Sequence, residues 1–242
     1  MSEQTTQPTD EAKGKGGDYP LFDRPEEYMR LRESAHGLGF LKRWFERRAI
    51  ARCLKLVGEI GTLCDAPCGP GRLFPCWTRW ARTVIGVELS DPMVAAARQL
   101  HASLGLAGDV RKGDAFALRS SLDSPADVVA SVRFAYYFDR PRRLELLRAL
   151  AAASRRWVLV QYKTSQTFKG RRSLAGEAGK TRPGRSTKFF CTDDEIRAEC
   201  AEAGLKCLAI ERINLGSDRV FVLAEKPAGH ADLPVGATAE AR

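Results

Sequence analysis

The sequence predicts an α/β fold, a doubly wound sheet of seven strands that is mostly parallel with an antiparallel strand at its C-terminal edge. Short apolar segments alternate with amphipathic segments five times, which is typical of strands and helices in a parallel sheet. Two further apolar segments, 205–213 and 219–225, follow each other across a short polar connection, which predicts a closing hairpin. A chain of 242 residues is long enough for one well-buried domain.

The N-terminal part is predicted to hold a polar tail and two helices. Residues 1–18 lack apolar periodicity, and we expect them to be disordered. Scattered apolar residues over 19–32 predict a short helix that docks on the domain. Apolar residues then recur at helical spacing over 38–57 with basic residues between them, which predicts a long amphipathic helix. Gly58 and Gly61 end this helix.

The middle of the chain supplies the remaining strands and helices. Strands are predicted at 62–66, 84–88, 109–112, 126–131 and 157–162, and helices at 73–81, 93–104, 140–153 and 192–203. Ser90 and Pro92 mark a helix start, because Ser is a good N-cap and Pro suits the first turn. Thr192 and Glu195 have the spacing of a capping box.

The segment 163–188 breaks this rhythm and is strongly basic. It holds eight Lys and Arg residues against one acidic residue, Glu177, together with four glycines. We expect a long loop or lid, inserted in a single domain of residues 19–227. Residues 228–242 are small and polar and are expected to form a flexible tail.

The composition limits the partners and the location of the protein. A net charge of +9 favours an anionic partner such as a phosphate-bearing substrate, nucleic acid or an acidic membrane surface. The seven cysteines include no Cys-x-x-Cys pair and the three histidines are scattered, so we expect no metal site. Cysteines in apolar stretches, and the lack of a secretory or membrane-spanning segment, predict a cytoplasmic protein.

The stretch 62–72 is the candidate ligand loop. A short apolar run ends at Asp65, and a turn with Gly69 and Gly71 follows at once. Glycine allows a sharp turn and a close approach of a ligand to the backbone. A carboxylate at the tip of the strand can accept hydrogen bonds from a ligand's ammonium or hydroxyl groups.

Polar residues also end the next three predicted strands. Glu88 ends the second strand, Asp114 follows the third, and Ser131 and Arg133 follow the fourth. Because the carboxyl ends of parallel strands share one rim of the sheet, we expect these residues to converge with Asp65 near the topological switch point.

In these features the chain resembles class I S-adenosylmethionine-dependent methyltransferases, which have a Rossmann-like fold. The loop 65–71 is similar to the family's acidic-x-Gly-x-Gly-x-Gly loop, and the segment 86–93 places its acid 23 residues after Asp65. The third motif is 113–115. Pro67 stands where the family pattern has its first glycine, and it removes one backbone donor.

The resemblance, which extends over about residues 38–226, implies S-adenosylmethionine as the cofactor. Asp65 would lie near its methionine part, Glu88 would accept from both ribose hydroxyls, and Asp114 would accept from the adenine amino group. Arg72 is a candidate for the cofactor's carboxylate. The implied cofactor-binding residues are Asp65, Pro67, Gly69, Gly71, Arg72, Glu88, Leu89, Met93, Asp114, Ala115 and Ser131.

Other interpretations of these residues stay open. A glycine turn, an acid at the end of a strand, or a methionine also occurs where no ligand binds, in turns, caps and cores. A nicotinamide or flavin domain would carry Gly-x-Gly-x-x-Gly, but Phe74 stands at the position of the third glycine. The antiparallel end of the sheet also fits a methyltransferase better.

The segment 131–139, after the fourth strand, is the candidate wall of the acceptor site. Methyl transfer requires alignment of the acceptor with the methyl group, and a base where the acceptor is a hydroxyl or an amine. Tyr136 and Tyr137 are candidates to line this site or to act as the base, and His36 is a further candidate base. The sequence lacks an Asn/Asp-Pro-Pro-Tyr/Phe motif, which argues against methylation of adenine amino groups in nucleic acid.

Basic residues favour an anionic acceptor. Arg133, with Arg171 and Arg172 of the basic segment, would bind phosphate or carboxylate groups. The sequence also resembles bacterial methyltransferases encoded beside lipopolysaccharide-kinase-like proteins, which implies a saccharide or lipid acceptor. We therefore expect methyl transfer to a small-molecule or glycolipid acceptor at oxygen. The alternatives are an RNA methyltransferase that uses 163–188 and a catalytically silent cofactor-binding protein.

Overall fold

The computed structural model describes residues 24–32, 38–177 and 188–227. The helices are α1 (Pro25–Arg32), α2 (Leu38–Leu54), α3 (Phe74–Trp77), α4 (Asp91–Ser103), α5 (Arg140–Ala153), α6 (Phe168–Glu177) and α7 (Asp193–Glu202). The strands are β1 (Ile60–Asp65), β2 (Ala81–Glu88), β3 (Val110–Lys112), β4 (Ala126–Ser131), β5 (Ser154–Lys163), β6 (Lys206–Arg212) and β7 (Arg219–Glu225). Two 3-10 helices, Ala115–Ser121 and Ala135–Tyr137, follow β3 and β4.

The seven strands form one sheet in the order β3-β2-β1-β4-β5-β7-β6, which confirms the predicted fold class. The first five strands pair in parallel, whereas β7 runs antiparallel to both β5 and β6. The antiparallel C-terminal strand therefore lies inside the sheet, and β6 forms the edge. Residues 220–224 of β7 are all buried, as expected for an interior strand. Strand β6 is only half-buried, as expected for an edge strand.

Two apolar layers cover the sheet, because alternate residues of each strand point to opposite faces. Leu63 and Val128 face α2, α3 and α4 on one side. Cys64 and Val129 face α5, α7 and the 3-10 helix after β3 on the other side. The protein is thus a three-layer α/β structure of the doubly wound type.

The topological switch point lies beside β1. This strand pairs in parallel with β2 on one side and with β4 on the other. The connections therefore leave β1 towards one half of the sheet and return to β4 in the other half. In open sheets a crevice for ligands forms at this point, beyond the carboxyl ends of the strands.

The basic segment 163–188 was predicted to be a loop, but its first half contains α6. The Thr167 hydroxyl accepts a hydrogen bond from the Gly170 amide at 2.9 Å, which caps the start of this helix. Residues 178–187 lie outside the described residues, and so do the predicted tails 1–18 and 228–242.

A second difference concerns α3, which is shorter than the predicted helix 73–81. The strand β2 begins at Ala81, where it pairs with Ile60, so the chain has to leave the helix before that residue.

Within the described part of the chain, no helix combines the length and the apolar character needed to cross a bilayer.

Candidate active site

The turn after β1 packs closely between the neighbouring strands. The Ala66 amide donates to the carbonyl of Ala130 in β4, and the Cys68 amide donates to the carbonyl of Val87 in β2. Gly71 has a φ of +81°, and a Cβ atom there would lie 2.6 Å from the ring of Phe74. The turn is thus fixed on both sides, and its conformation requires glycine.

Gly69, by contrast, faces open space. Its φ is +56°, and apart from its chain neighbours no atom of the described residues lies within 4 Å of the place where a Cβ atom would stand. The backbone at this position is therefore open to a ligand.

The carboxylate of Glu88 connects this turn to the end of β2. Its Oε2 accepts a hydrogen bond from the Gly69 amide at 2.9 Å. Its Oε1 accepts from the amides of Leu89 at 2.8 Å and Ser90 at 3.0 Å. A carboxylate offers about four acceptor positions, so Oε2 keeps capacity for a further donor.

Asp65 is buried at the tip of β1, where only 2% of its surface is exposed. Its Oδ2 accepts from the indole nitrogen of Trp77 at 2.8 Å, and its Oδ1 has no partner among the described residues. Burial raises the pKa of Asp65 to about 7, although the Trp77 hydrogen bond acts in the opposite direction. A buried acceptor oxygen without a partner is costly, and a cationic donor of a ligand would stabilise the charged form of this carboxylate.

Asp114, which follows β3, forms a hydrogen bond within its own segment of the chain. Asp114 caps the following 3-10 helix, since its Oδ1 accepts from the Phe116 amide at 2.9 Å. Ala115 is buried. The capping role is one that the sequence left open, and neither residue lines the pocket described next.

A pocket at the switch point brings together many of the predicted residues. Its lining includes the predicted residues Asp65, Pro67, Gly69, Arg72, Glu88, Met93 and Arg133. Residues without a predicted role complete it, namely Tyr28, Cys68, Leu73, Val132 and Phe134. Leu89 stands outside this lining and is 59% exposed. Ser131, at the end of β4, is fully buried and its hydroxyl has no partner among the described residues.

A buried cluster of charges lies beside this pocket. Glu46, on the inner face of α2, accepts from Arg72 at 2.8 Å and from Arg133 at 2.9 Å. Arg219, at the start of β7, lies 4.0 Å from the same carboxylate. We call these four residues the Glu46 cluster. Three guanidinium groups and one carboxylate leave two positive charges in excess.

The arginines dominate the ionisation of Glu46. Burial alone would raise the pKa of Glu46, but Arg72, Arg133 and Arg219 outweigh it and hold this pKa at about 2. Burial of charges is costly unless they are paired, so the single carboxylate is essential for keeping these arginines inside the protein.

Tyr136 and Lys163 extend this polar region towards β5. Tyr136 is buried and burial raises the pKa of its hydroxyl, so the phenol stays protonated at neutral pH. The ammonium of Lys163 lies 5.8 Å from the Tyr136 ring centroid and forms an ion pair with Asp218. Tyr137 is half-buried, and its ring packs against that of Tyr136.

Other predicted site residues are not brought into the pocket. Arg171 and Arg172 are exposed on α6, at the rim where β5 ends, and they do not line it. His36 lies outside the described residues.

No site role was predicted for Glu46, Arg219, Trp77 or Tyr28. The sequence offers a signal for Glu46 alone, which is the one acidic residue among several basic ones in α2.

Comparisons with known proteins concern the domain and the fold. Residues 63–156 match the family model of a methyltransferase domain. No curated protein matches the sequence.

Solved structures with 13–20% identity share the fold. Magnesium protoporphyrin IX methyltransferase from Synechocystis PCC 6803, with bound SAH, is 15% identical with a TM-score of 0.63, over 86% of this chain and 97% of that one.

Two further structures resemble the chain to a similar degree. An S-adenosylmethionine-dependent methyltransferase from Clostridium acetobutylicum ATCC 824 is 14% identical with a TM-score of 0.61, over 82% of this chain and 96% of that one. A possible histamine N-methyltransferase from Thermotoga maritima is 17% identical with a TM-score of 0.58, over 86% and 98%. Residues 63–156 thus match a methyltransferase domain, and the solved structures share the fold of this chain.

We predict that loss of the Glu46 charge destabilises the folded protein. Glu46→Gln should lower the free energy of unfolding by about 3–5 kcal/mol, because buried arginines lose their carboxylate. Urea unfolding at neutral pH measures this loss. The control Glu59→Gln breaks an exposed ion pair with Arg82 and should cost less than about 1 kcal/mol.

The stabilisation that Glu46 provides should decrease as the pH is lowered. The pKa of Glu46 is lowered from 4.5 to about 2, so its contribution is fully present above pH 4.5 and is lost as the pH falls towards 2. Equal and small losses for both variants at neutral pH would contradict the account.

Proposed function

We propose that this methyltransferase transfers the methyl group of S-adenosylmethionine to an oxygen atom of an anionic small-molecule or glycolipid acceptor. The observation that carries this proposal is the excess of positive charge in the Glu46 cluster. Two of its arginines, Arg72 and Arg133, also line the pocket. Buried guanidinium groups in excess of carboxylates are best compensated by an anionic ligand.

The residues around the pocket suit the cofactor. Oε2 of Glu88 retains capacity for a ribose hydroxyl, and the open backbone at Gly69 allows the cofactor to pass close to it. Oδ1 of Asp65, which has no partner among the described residues, suits an ammonium group. Arg72 would serve the cofactor's carboxylate, and Met93, which is buried in the lining, would pack on adenine.

The cofactor assignment is less direct for residues outside the pocket lining. Asp114 would accept from the adenine amino group with the oxygen that does not cap the 3-10 helix, and the Ala115 amide would donate to a ring nitrogen. Leu89, which is exposed, would cover the adenine ring. The cofactor supplies a methyl group on a positively charged sulfur, and the protein has to align the acceptor with it.

The acceptor would approach from the side of β4, β5 and β7. Arg133 and Arg219 would hold its anionic group, and Tyr136 would donate a hydrogen bond to it. Gln161 of β5 is fully buried, and its amide oxygen and nitrogen have no partner among the described residues, so it offers further contacts to a polar acceptor.

The raised pKa of the Tyr136 hydroxyl bears on the mechanism. A phenol that stays protonated is a hydrogen-bond donor and a poor base at neutral pH. An acceptor whose reacting oxygen is already deprotonated, such as a carboxylate, requires no base. That oxygen would form its bond to the methyl carbon as the bond from carbon to sulfur breaks, which neutralises both charges. Arg133 would keep such an oxygen ionised and oriented.

The cofactor assignment is tested by binding. Glu88→Gln should weaken binding of S-adenosylmethionine by about 10- to 100-fold, because a charged acceptor of ribose hydroxyls is lost. Isothermal titration calorimetry measures this, and thermal unfolding checks that the variant is folded. Glu145→Gln, on the exposed face of α5, is the matched control and should bind like the wild type. Unchanged affinity in Glu88→Gln would show that the ribose lies elsewhere.

The acceptor side is tested by turnover. Replacing Arg171 and Arg172 by alanine should leave cofactor affinity unchanged and lower kcat/KM for the acceptor by about tenfold, because these exposed cations stand at the rim of the proposed acceptor site. Transfer of labelled methyl groups to cell extract measures turnover. The control is the double variant with alanine at Arg148 and Arg197, which are exposed on α5 and α7. Equal turnover in both double variants would contradict a role of α6 in acceptor binding.

A further inference from the structure

The outer face of α2 exposes large apolar side chains to solvent. Phe40 is 60% exposed, and Leu41 and Trp44 are each 45% exposed. Arg47 and Arg48 are exposed on the next turn. We call these five residues the outer face of α2. Exposed apolar clusters of this kind on a folded domain mark surfaces that bind a partner.

This face is rich in positive charge. A shallow groove there is lined by four arginines, Arg43, Arg47, Arg48 and Arg79, together with Phe40, Trp44 and Ala51. No carboxylate belongs to this lining, as far as the described residues show. The one acidic residue of α2, Glu46, points to the opposite side and is buried. The surface therefore combines apolar anchors with several basic side chains.

We propose that the outer face of α2 docks on the surface of a lipid bilayer with anionic headgroups. Phenyl, indole and leucine side chains are stabilised at the boundary between headgroups and acyl chains. Arginines beside them attract lipid phosphates, and each such cation near an anionic bilayer strengthens binding. A helix that presents both kinds of side chain to the same side suits this interface and spans no membrane.

Other occupants fit this face less well. A second copy of the chain, related by a twofold axis, would bring the two sets of arginines together, and like charges repel. Single-stranded RNA would need aromatic rings with free faces for stacking. The guanidinium of Arg48 lies 5.3 Å from the Trp44 ring centroid and covers one face of that ring, while Leu41 offers no stacking surface.

The two sides of α2 would connect the bilayer with the pocket. The inner side carries Glu46, which contacts the pocket residues Arg72 and Arg133. An α-helix with its side chains is about 10 Å across, so the docked face would lie about that distance from the pocket wall. The binding proposal itself does not depend on the identity of the acceptor.

Cosedimentation of the full chain with vesicles tests this inference. Binding should be strong to phosphatidylcholine vesicles that contain phosphatidylglycerol and weak to phosphatidylcholine alone. Replacing Arg47 and Arg48 by glutamine should lower the partition coefficient by roughly tenfold. Glutamine at Arg148 and Arg197 removes the same charge from the far side of the sheet and should leave binding unchanged.

The fluorescence of Trp44 gives an independent readout. Trp77 is fully buried, Trp157 nearly so, and Trp80 is partly buried against the core, whereas Trp44 is the most exposed of the four tryptophans at 45%. Anionic vesicles should therefore shift the emission to the blue in the wild type, and Trp44→Phe should remove this shift. Equal binding to both vesicle types, an unchanged partition coefficient in the Arg47 and Arg48 variant, or binding of single-stranded RNA through this face without vesicle binding would overturn the proposal.

Discussion

The ion pairs of Glu46 are the interaction on which the site depends. This one carboxylate joins α2 to the glycine turn through Arg72, to the end of β4 through Arg133, and to the start of β7 through Arg219. These elements lie far apart in sequence, and their charged side chains meet at the carboxyl rim of the sheet. Because a buried guanidinium is costly without a partner, the position of α2 on the sheet and the arrangement of the pocket wall depend on each other.

A second carboxylate organises the other half of the pocket. Glu88 accepts hydrogen bonds from three backbone amides and so holds the turn at Gly69 against the end of β2. Asp65 lines the same pocket, with a raised pKa and an oxygen that has no partner among the described residues. Asp65 and Glu88 thus line the part of the pocket proposed for the cofactor, together with Arg72 for its carboxylate, whereas Arg133 lines the part proposed for the acceptor. Such a separation suits a reaction between a cationic donor and an anionic acceptor.

Structural features that depend on short-range sequence patterns were predicted correctly. The bounds of β4 and α5, the capping box of α7 and the strand tips at Asp65 and Glu88 all follow from short-range spacing and turn chemistry. The long-range contacts left no such signal. Glu46 and Arg133 are 87 residues apart, and a polar residue on a basic amphipathic helix gives no sign of whether it is buried. The helix α6 was missed because glycines and charges indicated a loop, while the hydroxyl of Thr167 caps its start.

The central claim is that Arg133 and Arg219 of the Glu46 cluster serve an anionic acceptor, and fractionated extracts test it most directly. Nuclease-treated cell extract is separated on an anion exchanger at neutral pH, and each fraction is incubated with the protein and S-adenosylmethionine carrying a labelled methyl group. We predict that the acceptor activity lies in the retained, anionic fractions. Label that enters only compounds of the unretained fraction, or activity that disappears after nuclease treatment, would contradict it.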